Sequence, residues 1–358
     1  MTACVTVTDV RAYVCPAGER TAVFVVVDTD AGIAGVGEAS QSNQDGAVLA
    51  NVRDLARRYV GHDAFELIER RGVLAGRPRA GRAMIVAVSA LEQALWDVVG
   101  RTTGRPVHQL LGGAARDELR CYVTLDRPAP PAEFAGLAAD WAGRGCSAVK
   151  VVAFPEYPQP GWLDIGLARV EAVGTAVDVY VECNYAFDLG TARIVIHALV
   201  ERGVALIESP LHTDDPAGLA ELKAGAGCLI ASGEARHGRR DYLELLHRRA
   251  VDVVQPDVKW TGGIAEAKKV AALAEAYELL AAPHNNSEMV GTAASAHLAI
   301  TLPNAFALEI PSRAPAEFAS ADIVENGTIS AARLRERPGL GVTFAEDAAA
   351  GIAIAQLT

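Results

Sequence analysis

The chain has 358 residues, 51% of them hydrophobic and 22% charged, with a formal net charge of −11. That length holds a large core and exceeds one small domain, so two domains are expected. The acidic balance argues against nucleic acid or an anionic membrane as partner, and an anionic ligand needs a locally positive site inside the acidic envelope. The first residues, MTACVTVTDVRAYV, lack a basic segment leading into an apolar core, so no signal peptide is expected, and no run reads as a membrane span. Six cysteines (Cys4, Cys15, Cys121, Cys146, Cys183 and Cys228) are scattered without CxxC spacing. They read as thiols in a reducing cytoplasm, not as disulfides or a zinc site.

The first part of the chain carries β-branched runs, CVTVTDVRAYV and RTAVFVVVDTD, followed by GIAGVGEAS after a turn at 30–32. These predict a small antiparallel sheet. Helical patterns follow at about 45–60, 64–74 and 80–100, the last with Ile85, Val88, Leu91, Leu95 and Val98 at helical spacing. Gly100, Gly104 and Pro106 mark its end. The block reads as an α+β domain, and its loops at 15–20 and 40–46 are candidate lids over a neighbouring site.

From Leu119 onward a strand–helix beat takes over. LRCYVTL, SAVKVVAF, VDVYVECN, ALIESP, CLIASGE, VDVVQPD, ELLAAPH and AFALEIP are eight strand candidates with helical stretches between them. Eight βα units close into a TIM barrel, whose site lies at the C-terminal mouth of its strands. Lys150, Glu182, Glu208, Glu234, Asp257, His284 and Glu309 all fall near such strand ends. Barrel stability does not call for an ionisable group at that place on seven strands, so the set reads as an active site. Three of them keep an even step, 208 − 182 = 26 and 234 − 208 = 26, which brings three carboxylates to one point. Left alone they repel one another, and a hard divalent cation with oxygen ligands, usually Mg²⁺, removes that cost. The alternative is that they are ordinary strand-end acids facing solvent.

The segments SALEQALWDVVGRTTGRPVHQLLGG, VECN, IESP, SGE, VVQPDVKWTGGI, APH and ERPGLGV together resemble the enolase superfamily, in its mandelate racemase-like branch, over nearly the full length. The resemblance implies an α/β fold: a modified (β/α)7β TIM barrel with an α+β capping domain that the C-terminal tail completes. The expected divisions are 1–117 for the cap, 118–312 for the barrel and 313–358 for the returning tail. It also implies one Mg²⁺ holding a small carboxylate substrate, loss of the proton α to that carboxylate, and a homo-oligomer.

Position by position, Glu182, Glu208 and Glu234 match the metal ligands, the first being more usually Asp. Asn184 matches a residue beside the metal, Asp257 and His284 match a His–Asp dyad, and Glu309 matches an acid that meets a substrate carboxylate oxygen. Lys150 matches the first lysine of a Lys-x-Lys pair whose second position here is Val152. A racemase needs acid/base groups on both faces of the substrate, so Val152 favours elimination: His284 takes the α-proton and protonates a departing β-hydroxyl, giving a 2-keto-3-deoxy acid from an acid sugar. An isomerase, with Lys150 or Lys259 as second acid/base group, and a non-catalytic carboxylate binder are the alternatives. Lys259 shares the parity of Asp257 if that strand continues, and is otherwise a loop lysine. His212 and His237 lie on loops at the same mouth and are left out of the catalytic set. Arg77 and Arg79 in the cap are candidates to meet an anionic substrate on charge alone.

Overall fold

β1 (Val7–Ala17) and β2 (Arg20–Thr29) form one antiparallel hairpin that turns at Gly18, where φ is 63°, and β3 (Ala34–Glu38) pairs with β2. The computed structural model describes residues 4–40, 43–70, 81–125, 130–313, 317–352 and 355–356. The sheet is buried on both faces. Val10, Ala12, Val14, Val23, Val25 and Val27 face the cap's own helices, while Tyr13, Cys15, Phe24 and Val26 join the core that continues into the second domain. Period-two alternation of a strand produces this division.

Helices Asp45–Tyr59, Ala64–Arg70 and Arg82–Thr103 cover the sheet. The last lies directly on β3 because Gly35 and Gly37 leave room for it: a Cβ on Gly37 would sit 1.9 Å from the Ala90 carbonyl oxygen. This helix runs through Gly100, the first of the three end markers in the sequence, and ends at Thr103, with Gly104 left-handed at its C-cap. Gly100 is retained for contact, since a Cβ there would meet the Gly339 backbone at 2.5 Å. One expectation changes. By length and composition this helix is apolar enough to cross a membrane, yet 83% of its apolar window is buried inside the fold.

The second domain has eight parallel strands: β4 (Glu118–Leu125), β5 (Ala148–Val152), β6 (Asp178–Glu182), β7 (Leu206–Glu208), β8 (Leu229–Ser232), β9 (Val253–Val254), β10 (Leu280–Ala281) and β11 (Leu308–Pro311). Each pairs with the next from β4 to β10, and β11 pairs with β4. The ring closes through a bridge between Ala281 and Ala305, where Phe306 N donates to the Ala281 oxygen at 2.8 Å. Helices follow the first seven strands, from Pro131–Gly143 to Met289–Ala299, with two short ones (Gly238–Asp241 and Leu243–His247) after β8. Tyr122, Ala148, Tyr180, Leu206, Ala231, Val253, Ala282 and Ala307, one from each strand or its end, form the packed layer inside the barrel. This is the modified TIM barrel the sequence implied.

After β11 the chain leaves the barrel. Thr328–Ser330 pairs antiparallel with the start of β4, and Ala355–Gln356 adds a strand to β1 at Tyr13 and Val14. Tyr13 also donates to Glu346 at 2.6 Å, so the tail is fastened to the cap.

Candidate active site

The inner layer of the barrel sets the site by parity. Two residues beyond Ala148, Tyr180, Leu206, Ala282 and Ala307 lie Lys150, Glu182, Glu208, His284 and Glu309, which therefore point inward at the mouth. Glu234 reaches the same place by a different route, because Gly233, at φ 125°, breaks the parity after β8. The turns after the other two acids are also left-handed: Asn184 at φ 51° and Ser209 at φ 47°. Such conformations cost non-glycine residues free energy and persist where the surroundings enforce them.

Glu182, Glu208 and Glu234 are buried, and each offers a carboxylate oxygen within 4.8 Å of the others. The Asn184 amide donates to Glu182 at 2.6 Å, Gln255 to Glu208 at 2.6 Å, and the Ser209 hydroxyl to Glu234 at 3.0 Å. Burial, together with the charge of Glu208, pushes the Glu182 and Glu234 carboxyls above the usual range. Burial would raise Glu208 too, but Lys150 outweighs it and pulls Glu208 down to about 2. Three converging acids of which two are driven toward protonation form a donor set that suits a hard cation, which would hold all three ionised.

Lys150 Nζ lies 2.6 Å from Glu208, 2.9 Å from Glu309 and 3.5 Å from Glu182. Burial alone would lower its pKa, but Glu208 and Glu309 lift it well above the ordinary lysine value. Glu309 also accepts from the Asn285 amide at 3.0 Å and from the Thr124 hydroxyl. On the adjoining wall, His284 Nδ1 is 2.7 Å from Asp257, which in turn accepts the Lys259 amide at 2.6 Å. That contact leaves Nε2 as the working nitrogen of the imidazole. Burial would depress the His284 pKa, but Glu309 and Asp257 raise it to about 9. The Trp260 ring stacks on His284, centroids 5.2 Å apart, and the Arg82 guanidinium covers Trp260 at 4.7 Å. Lys150, Val152, Glu182, Asn184, His284 and Glu309 line one cavity of about 180 Å³.

Residues 133–348 match the family profile described as enolase C-terminal domain-like, and residues 3–112 match the mandelate racemase / muconate lactonizing enzyme N-terminal domain. The chain belongs to the mandelate racemase/muconate lactonizing enzyme family. A D-galactonate dehydratase of Ralstonia pickettii is 30% identical over 289 residues, 77% of this chain and 74% of that one. A D-xylonate dehydratase of Haloferax volcanii is 30% identical over 372 residues, 96% of this chain and 87% of that one. Among solved structures, an enolase of Agrobacterium radiobacter described as a candidate galactarate dehydratase, with sodium and L-malate bound, has a TM-score of 0.88 at 25% identity. The alignment covers 99% of this chain and 96% of that one.

Within this family member, the remaining candidates fall into place by contact. Lys259 is neither a strand residue nor a surface loop lysine. β9 stops at Val254, and the buried Nζ of Lys259 donates to the Asn286 carbonyl at 2.7 Å, behind the cavity wall. His212 is exposed beside Asp214, and His237 Nδ1 meets the Trp260 carbonyl at 2.8 Å; neither lines the cavity. Arg77 and Arg79 lie outside the described residues, as do positions 41 and 42 of the second lid loop. The first lid loop is the tip of the β1–β2 hairpin, and it does reach the site: Arg20 lines the cavity and donates to Asn286 Oδ1 at 3.1 Å. Sequence reading missed Asn285, Asn286 and Arg313, which complete the mouth, and Glu38, a buried cap acid. Glu38 accepts the Glu288 and Gly291 amides at 2.9 and 2.8 Å. The run HNNSE directly after β10 carried a signal, polar residues packed at a barrel mouth, but not their partners.

Proposed function

We propose that the protein is a Mg²⁺-dependent hydro-lyase that dehydrates an acid sugar to a 2-keto-3-deoxy acid. The observation that carries this is one cavity lined by His284, Lys150, Glu182 and Glu309, with Asp257 bonded to His284, Glu208 and Glu234 converging on Glu182, and Val152 where a second base would stand. Glu182, Glu208 and Glu234 are the cation's ligands, with Asn184 beside them. Bound there, the cation would supply positive charge against the substrate carboxylate and, by like-charge repulsion, would lower the His284 pKa.

His284 Nε2 takes the α-proton, and the electron pair moves into the carboxylate to give an enediolate. Lys150, already cationic, stabilises that developing charge, and Glu309 receives a carboxylate oxygen through a shared proton or water. Collapse of the enediolate expels the β-hydroxyl, which takes the proton held by His284 and leaves as water. The resulting enol tautomerises to the 2-keto acid, so one base serves both halves of the elimination. Asp257 holds the imidazole in the required tautomer. Lys150 is tied to Glu208 and Glu309, which disfavours it as the second base an isomerase needs. The reading is in keeping with the dehydratases among the relatives, a homo-oligomeric cytoplasmic enzyme acting on small carboxylates, and units at 1–117, 118–312 and 313–358.

Proton NMR in D₂O with Mg²⁺ and a panel of acid sugars tests it. The expected result is loss of an α-proton signal and growth of a 3-deoxy methylene bearing one deuterium, abolished in His284→Asn. Interconversion of 2-hydroxy acid stereoisomers without a 3-deoxy product would replace this reading with an isomerase.

A further inference from the structure

Two arginines meet at the mouth of the cavity from different parts of the molecule. Arg20 comes from the tip of the β1–β2 hairpin in the cap, and Arg313 lies two residues past β11. Both line the same cavity as Lys150 and His284. Both donate to one neutral oxygen, Oδ1 of Asn286, at 3.1 Å from Arg20 and 2.7 Å from Arg313. Arg313 is held in place by Glu288 at 3.2 Å and by the Ser287 carbonyl at 3.1 Å, leaving the Nη1 edge turned to Asn286.

A carboxamide oxygen between two guanidiniums has the shape of half a carboxylate and none of its charge. Planar guanidinium forks match a carboxylate in pairs of parallel hydrogen bonds, which an ammonium does not do. One substrate carboxylate is already provided for by Lys150 and Glu309, and Arg20 and Arg313 add two guanidiniums to the lining of the same cavity, Arg313 while paired with Glu288. The cavity's small volume, about 180 Å³, keeps Lys150 and the two guanidiniums within reach of one short chain.

We infer that Arg20 and Arg313, converging on Asn286, bind a second carboxylate of the substrate, so that the protein acts on a short polyhydroxy diacid in preference to the corresponding monoacid. This rests on the dehydratase reading for its substrate but not for its binding geometry. Because Arg20 belongs to the cap, the same contact seats the hairpin tip over the loaded site.

Calorimetric titration of the Mg²⁺-loaded protein with malate and with 2-hydroxybutyrate, each in both enantiomers, tests it. The two acids have the same four-carbon length and differ in a terminal carboxylate against a methyl group; the malate hydroxyl is β to its C4 carboxylate, so the titrated sample is also checked for fumarate. One enantiomer of malate is expected to bind tenfold or more tightly than its monoacid counterpart, a ratio of the size charged hydrogen bonds give. That ratio should shrink in Arg20→Gln, an exposed hairpin-tip change that spares the core, and in Arg313→Lys, which keeps the charge beside Glu288 but not the fork. Binding within about threefold for the two acids, no binding of malate, or a ratio that survives both substitutions would each overturn the inference. Preference for malate without turnover of any acid sugar, mono- or diacid, would sink the dehydratase reading and leave the subsite standing. Dehydration of monoacid sugars with equal binding of the two probes would do the reverse.

Discussion

Lys150 carries an unusual share of the site's electrostatics: one ammonium, 1% exposed, lies within 3.5 Å of three carboxylates. Removing one partner of a buried ionic cluster costs more than the cluster contributes, because the remaining charges stay desolvated. In Lys150→Met the metal-free protein should lose on the order of 3–5 kcal/mol in denaturant unfolding, the usual size for a broken buried pair. Mg²⁺ should restore much of that, since the cation takes over neutralisation of Glu182 and Glu208. An unfolding midpoint equal to wild type in EDTA would contradict this account of the cluster. Asp257 is the second residue whose effect follows from geometry. Asp257→Asn keeps the shape but removes the charge that fixes the His284 tautomer, so kcat should fall by roughly 10²- to 10⁴-fold with little change in KM. An unaffected kcat would mean His284 works without it. Both residues were legible in the sequence because the βα beat sets Lys150 within one strand candidate and Asp257 at the end of another. Arg20, Arg313 and Asn286 were not, because their meeting joins a hairpin in the cap to two barrel loops, and no local pattern encodes a contact across some 266 residues.

At the scale of elements, β3 and the Arg82–Thr103 helix show how much a pattern can say and where it stops. The alternation Gly35–Val36–Gly37 marked a strand, but its glycines are there for the helix that lies on them. Gly37→Ala would drive a Cβ into the Ala90 carbonyl oxygen, a backbone atom in the middle of a long helix that has no flexible way to retreat. The expected loss is on the order of 3 kcal/mol, the upper range for overpacking, read as a shifted denaturant midpoint at unchanged slope. A midpoint within experimental error of wild type would mean the helix shifts freely on the sheet. In the barrel, period-two spacing brings Lys150, Glu182, Glu208, His284 and Glu309 inward, while Glu234 comes in only through the turn at Gly233. β9 and β10 are only two residues long, and Asp257 and His284 follow them on irregular backbone. Strand parity would bring Lys259 inward only if β9 continued to it, and β9 stops at Val254, with Asp257 accepting the Lys259 and Trp260 amides.

The molecule as a whole is held together where the cap supplies acids to the N-termini of barrel helices. Glu38 receives the amides opening Met289–Ala299, and Glu92 receives those of Ile264 and Ala265 at 2.8 and 3.0 Å, so both docking points use the positive end of a helix. A third junction is a pair of buried histidines, His108 after the cap helix and His297 inside the barrel helix, stacked at 5.3 Å. The His108 amide donates to Nδ1 of His297 at 3.2 Å, which requires that nitrogen to be unprotonated. Burial, with Arg335 nearby, holds His108 down at about 4, and burial with His108 itself holds His297 at about 3, against an ordinary 6.5. The unfolded chain therefore takes up both protons as pH falls through 6.5, while the folded one stays neutral until about 4. Their contribution to stability is complete above pH 7 and is lost between pH 6.5 and 4, at up to about 1.4 kcal/mol per pH unit for each histidine. Glu38 and Asp97, whose pKa values burial raises, work in the opposite sense over the lower part of that range. Comparison with variants isolates the histidine term: in His297→Asn the slope of unfolding free energy against pH between 6.5 and 4.5 should flatten by about one proton. A slope identical to wild type would show that the pair is protonated in the folded state and that the cap–barrel junction is held by the glutamates alone.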